Sequence, residues 1–204
     1  MKTTMIVAFF LCAVVACSGP VHVAKNETEG IKASYEDPKL SELSARYQPT
    51  LKDIYRRYQS AGIDVYPNGI GFTSVSGQDG SKHYYLLVQV RPRNITFGEV
   101  QTKPQERFAE VLRKHFENNL RFIKAGDLQD GVEGLAFGVY WPVRDLSQCD
   151  TYGGFLEYTM VYFPKRDFID LAARNITLME AVEDAEVVTS LGRKAAVEMK
   201  VREQ

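Results

Sequence analysis

The sequence predicts an α+β fold: an antiparallel sheet of about four strands, built from two hairpins that alternate with helices (α-ββ-α-ββ-α), the helices mainly on one face. Three observations carry this prediction. Residues 103–126 repeat apolar side chains at helical spacing. An Asp79-Gly80 pair separates two apolar segments, which signals a tight hairpin. Residues 134–143 and 155–163 alternate large apolar side chains with smaller or more polar ones, the period of a strand.

In chain order, the fold is expected to begin near Asp37-Pro38. Leu40, Leu43 and Tyr47 are spaced for a helix that Pro49 interrupts or restarts. Leu51, Ile54, Tyr55 and Tyr58 make 50–61 an amphipathic helix ended by Gly62. The first hairpin pairs 69–77 with 82–93. Its second strand is apolar at every position from Tyr84 to Val90 except Gln89, so it should be covered on both faces, and Pro92 ends it. In 103–126, Phe108, Val111, Leu112, Phe116, Leu120 and Ile123 form one stripe, with Thr102 and Gln105 placed for a capping box and Gly126 past the end.

The second hairpin puts Leu135, Phe137, Val139, Trp141 and Val143 on one side of its first strand, and Leu156, Tyr158, Met160 and Tyr162 on one side of its second. Residues 168–182 read as helix broken near Asn175. Val197, Met199 and Val201 fit either an edge strand or a frayed helix. The repeat Arg-Asn-Ile-Thr at 93–96 and 174–177 has a Glu three residues beyond each Thr. It reads as a capping box used twice to start a helix, or as a pair of glycosylation sequons.

The N-terminus speaks of location. Met5 to Ala16 is an uncharged run behind Lys2, short of the roughly 20 residues that span a bilayer but matched to an export signal. Val14-Val15-Ala16-Cys17 resembles the lipobox of bacterial prolipoproteins, which more often have Leu where Val14 stands. The resemblance covers only the first 17 residues. It implies cleavage before Cys17, a diacylglyceride on its thiol and usually an acylated new N-terminus, hence a membrane partner through the lipid. Ser18 resembles the outer-membrane sorting pattern of enterobacterial lipoproteins, so the chain would face the periplasm. On the residues alone, Val14-x-Ala16 also suits an ordinary signal peptidase and a secreted product, and an uncleaved anchor is the third option.

The expected organisation is a signal peptide (1–16), a lipidated cysteine with a flexible tether (17–37) and a single α+β domain (38–204). Roughly twenty flexible residues have a reach of about 25 Å. After cleavage Cys17 and Cys149 remain, too few for a disulfide framework. Net charge is −1, with acids and bases interspersed, so nothing favours nucleic acid.

The loop between the two strands of the second hairpin is longer than such a connection needs, and it gathers Arg144, Asp145, Cys149, Asp150 and Tyr152. It is either a binding loop or a surface loop that satisfies its own backbone. Cys149 as a nucleophile would need His83 or His115 as base. No metal-ligand spacing, glycine-rich phosphate loop or other cofactor motif occurs. Tyr84, Tyr85, Tyr140, Trp141, Tyr158 and Tyr162 on strands are either packing residues or a stacking platform. The expected function is a non-catalytic, lipid-anchored envelope protein that binds another envelope protein or a cell-wall component. The alternatives are a small-ligand binder with an aromatic and Arg-lined pocket, and a hydrolase using Cys149 or Asp145/Asp150.

Overall fold

Leu135, Phe137, Val139, Trp141 and Val143 are all at most 2% exposed, which fixes strand β4 (Gly134–Arg144) as the spine of the molecule. The computed structural model describes residues 23–77, 80–98, 102–128, 130–144, 155–183 and 185–190. Around β4 lies one mixed sheet in the order β1 (Asp64–Ser76), β2 (Lys82–Arg91), β4, β5 (Phe155–Pro164), β6 (Glu186–Thr189), with β3 (Phe97–Gly98) beside the far end of β4. The α+β class is as expected, and the detail differs. The β1–β2 and β4–β5 hairpins are antiparallel, but β2 and β4 are parallel, in register from Tyr85↔Gly134 to Val90↔Val139. The cause is the long connection between them, which carries a helix across one face and returns the chain to the end where it started. The sheet also gains two short strands, β3 and β6, too brief to leave a period in the sequence.

The helices are α1 (Glu27–Gly30), α2 (Pro38–Arg46), α3 (Gln48–Ser60), α4 (Pro104–Glu110), α5 (Glu117–Leu120), α6 (Lys165–Ala172) and α7 (Leu178–Glu183). The buried apolar side chains of α2 to α7 join the odd-numbered residues of β4 in one core. Pro49 opens α3 rather than breaking a helix, since its missing N–H has no intrahelical partner there. Gly62, at φ 69°, closes α3: its N–H reaches Gln59 O and that of Ile63 reaches Tyr58 O, a Schellman motif. The expected helix over 103–126 is helical to Leu120 but passes through a π-helical segment, Val111–Phe116. A π-turn brings residues five apart onto one face, which is how Val111 and Phe116 are both fully buried. Its N-cap is Lys103 rather than Thr102, because Pro104 takes the first helical position; Glu106 Oε2 accepts the Lys103 N–H at 3.0 Å. Gly126 sits in a short 3₁₀ turn, Ala125–Asp127.

Of the two Arg-Asn-Ile-Thr copies, the second is a capping box. Glu180 N donates to Thr177 Oγ1 at 3.2 Å and Thr177 N to Glu180 Oε2 at 2.7 Å, opening α7. The first leads into the extended β3 instead, so it starts no helix there. The tether expectation is also corrected. Ala24 and Ile31 are buried, Ala24 N–H bonds Val65 O, Lys32 N–H bonds Ile70 O, and the Phe72 N–H donates to Tyr35 Oη at 3.0 Å. Residues 24–35 thus lace the outer edge of β1, which would otherwise expose unpaired backbone. Cys17 and the C-terminal Val197, Met199 and Val201 lie outside the described residues.

At the far end of β4 a charged group enters the core. Arg107 of α4, 3% exposed, donates Nε to Glu157 Oε2 at 2.8 Å and Nη2 to Glu157 Oε1 at 2.5 Å, and bonds Thr102 O. Trp141 Nε1 donates to the same Glu157 Oε2 at 3.0 Å, while its ring meets Phe108 edge to face at 5.3 Å. Truncating one partner leaves the other charge buried and unpaired. Arg107→Met is therefore expected to cost about 3–5 kcal/mol of stability, read from the urea midpoint. Adding Glu157→Leu should return much of that loss; a single variant as stable as the parent would refute the account.

Candidate functional site

The sheet's second face is built from what β4 places there. Gly134, Ala136 and Gly138 alternate with the core residues, so the centre of this face has almost no side chain of its own. Neighbours lie down into that space. A Cβ on Gly138 would come within 3.0 Å of Met160 Cε, and one on Gly134 within 2.9 Å of the Tyr85 ring. Leu87, Ala136 and Met160 are thereby buried with Tyr85, Tyr158, Tyr162 and Val188 packed against them, and every member of this cluster comes from a strand. The expectation that β2 is covered on both faces holds in full only on the helix side; on this side Leu87 is buried among tyrosine rings, while His83, Tyr85 and Gln89 are half-buried.

Three rings stack along the face. Tyr66 lies 4.6 Å from Tyr140 at 17°, and Tyr140 lies 5.3 Å from Tyr158 at 27°. Tyr66 reaches over from β1 because the register shifts between Val65 and Ile70: Asn68 takes φ 55°, and a Cβ on Gly69 would strike Tyr66 O and Gln89 O at 2.6 and 2.7 Å. Gln89 Nε2 donates to Tyr140 Oη at 2.9 Å, and Tyr85 meets Tyr162 edge to face at 5.4 Å. Burial, then the neighbouring Tyr158 and Tyr66, hold the Tyr140 hydroxyl well above the usual tyrosine range. The face combines stacked aromatic rings with hydroxyl groups.

The expected loop site is not brought together by what the structure describes. Arg144 is the last residue of β4, and Asp145, Cys149, Asp150 and Tyr152 lie outside the described residues. Of the aromatics, Tyr85, Tyr140, Tyr158 and Tyr162 share this second face, whereas Trp141 and Tyr84 belong to the helix side. Tyr66 was hidden because the bulge changes the phase of its strand. The signal that could have found the face is the run of small residues at alternate positions of β4.

His115, in the π segment, is held below its usual range by burial. His83 lies near the start of β2. Its Nδ1 is 2.7 Å from Glu133 Oε2 and its Nε2 3.0 Å from Ser81 Oγ. Hydroxyl, imidazole and carboxylate stand in the order that serine hydrolases use. The His83 and Glu133 side chains are 43% and 49% exposed, however, so water reaches the relay freely, and Glu133 also accepts the Tyr84 N–H. The relay ties the β1–β2 turn to the start of β4. Among the described residues no three His, Cys, Asp or Glu side chains converge as a metal site, and no helix is long and apolar enough to cross a membrane. The chain matches no protein-family model, no curated protein and no solved structure.

The tyrosine face generates two expectations. Gly138→Val must displace Met160 and is expected to lower stability by about 1–3 kcal/mol in urea unfolding. Alkali should act through Tyr140 and through Tyr58, which burial likewise holds well above its usual range. Unfolded tyrosine ionises near pH 10, whereas these two keep their protons when folded. The folded state then binds more protons, so stability is intact below about pH 10 and falls as pH rises above it. Tyr140→Phe should make that decline shallower; an unchanged slope would contradict the burial argument.

Proposed function

We propose that this chain is a lipid-anchored protein of the bacterial cell envelope that docks another envelope protein through the open tyrosine face and performs no catalysis. The observation that carries the docking reading is the stacked Tyr66, Tyr140 and Tyr158 column on a sheet face that, among the described residues, is packed by strand side chains alone. Rings already held in place lose little freedom on binding, and buried aromatics dominate the energetics of such interfaces. The lipobox at 14–17 supports anchoring at Cys17, with the outer membrane facing the periplasm as the location and simple secretion as its alternative. More than one acyl chain is needed for stable anchorage. Because residues 24–35 belong to the domain, the tether is shorter than the sequence suggests, and the domain would ride close to its membrane.

The exposure of the Ser81–His83–Glu133 relay supports the non-catalytic reading. A fluorophosphonate probe is expected to leave Ser81 unlabelled. Labelling that His83→Gln abolishes would replace this reading with a hydrolase. For location, intact mass of the native protein should show fatty acyl groups on Cys17, and Cys17→Ala should release the chain from membranes. For docking, Tyr158→Arg should abolish a cross-linked envelope partner that Arg166→Glu, an exposed change on α6, leaves intact. Equal loss in both variants would sink the tyrosine face as the site. Retention of a purified glycan rather than a protein would reassign the partner to the cell wall.

A further inference from the structure

A groove of about 370 Å³ opens between α5 and α6, in the size range of small-molecule sites. Its apolar floor is Leu120, Ile123, Phe168 and Leu171, all buried, and its charged groups are Arg121, Arg174 and Glu117, all exposed. Among the described residues neither guanidinium has a carboxylate within salt-bridge reach, although Arg121 lies over the Phe122 ring. The same tetrapeptide offers a contrast. Arg93, which opens the first Arg-Asn-Ile-Thr copy, holds Asp64 through two bonds of 3.0 and 2.7 Å. Arg174, which opens the second, holds no carboxylate among the described residues.

Arg174 also sits where its backbone disfavours it. α6 closes as α3 does: Arg174 N–H reaches Leu171 O, and Asn175 N–H reaches Asp170 O. This is the same Schellman motif, with φ 61° at Arg174 against 69° at Gly62. α3 fills the left-handed position with glycine, the residue that fits without strain, and α6 fills it with an arginine that lines the groove. Strain kept at one residue while its side chain borders an apolar groove has an economical explanation in ligand binding.

We propose that this groove binds a small organic carboxylate with an apolar body, the carboxylate between Arg121 and Arg174 and the body on Phe168 and Leu171. A planar guanidinium suits a carboxylate through paired N–H donors. The site is independent of the tyrosine face and of the anchor at Cys17. Glu117 opposes an anion here, which makes it a useful control.

The test is calorimetric titration of the full-length chain with 4-phenylbutyrate, 4-phenylbutanol and inorganic phosphate, at low and high salt. The carboxylate should bind, the alcohol and phosphate at least ten-fold more weakly, and salt should weaken it. Arg174→Gly should lose at least ten-fold in affinity while its Tm stays level or rises, because the strain is relieved. Arg121→Gln should lose a similar factor, and Glu117→Gln should tighten binding. No binding of the carboxylate, equal binding of the alcohol, or unchanged affinity in a folded Arg174→Gly variant would each overturn the proposal.

Discussion

The two faces of β4 impose opposite demands, and the rest of the structure answers them. Because side chains alternate across a strand, a register that sends Leu135, Phe137, Val139 and Trp141 into the helices must send Gly134, Ala136, Gly138 and Tyr140 the other way. A slip of one residue would bury the glycines and expose Trp141. The flanking strands respond to this. On the helix side Phe116 meets Phe137 edge to face at 4.9 Å. On the other side Met160 and Tyr85 occupy the room that the glycines leave.

The two ends of the sheet are treated differently as well. Where β4 runs into the connection to β5, the Arg107–Glu157 pair is enclosed and shares a carboxylate oxygen with Trp141 Nε1. A buried pair is weak evidence for stability, since well-packed apolar residues do as well or better. Its better attested effect is geometric: a two-bond contact admits one orientation of α4 over β5. At the opposite end, polar contacts between side chains are wet. His83, Glu133 and Ser81 bond in solvent, where such contacts contribute little.

Much of this was legible in the residues themselves. The Phe108–Ile123 stripe and the alternation of 135–143 each name an element that is present in the structure, because burial selects for the pattern, and the two segments flanking Asp79-Gly80 pair as the antiparallel strands β1 and β2. What the residues hid follows from contacts between distant segments. Nothing local to β2 or β4 states that they run parallel; that depends on where the intervening helix returns the chain. The first strand is expected from residue 69, and β1 begins instead at Asp64, with a register shift between Val65 and Ile70 that breaks its alternation. Residues 24–35 read as polar linker because so few of them are apolar, yet Ala24, Ile31 and Tyr35 suffice to hold them on β1. For the site, Tyr85, Tyr140, Tyr158 and Tyr162 were visible as aromatics on strands, but their common face depended on the register of three strands.

Tyrosine is also the side chain that suits such a face. A sheet face of Leu and Phe over a glycine floor would be a large apolar patch, prone to association with any similar surface. Stacked and edge-to-face rings bury one another and the side chains beside them, leaving Leu87 only 9% exposed, while their hydroxyls bring polar atoms to the face. The Gln89 amide fixes Tyr140 further by bonding its hydroxyl. Under the proposed docking, affinity would come from removing water over fixed rings rather than from ordering loose ones, which is the cheaper route to a specific interface.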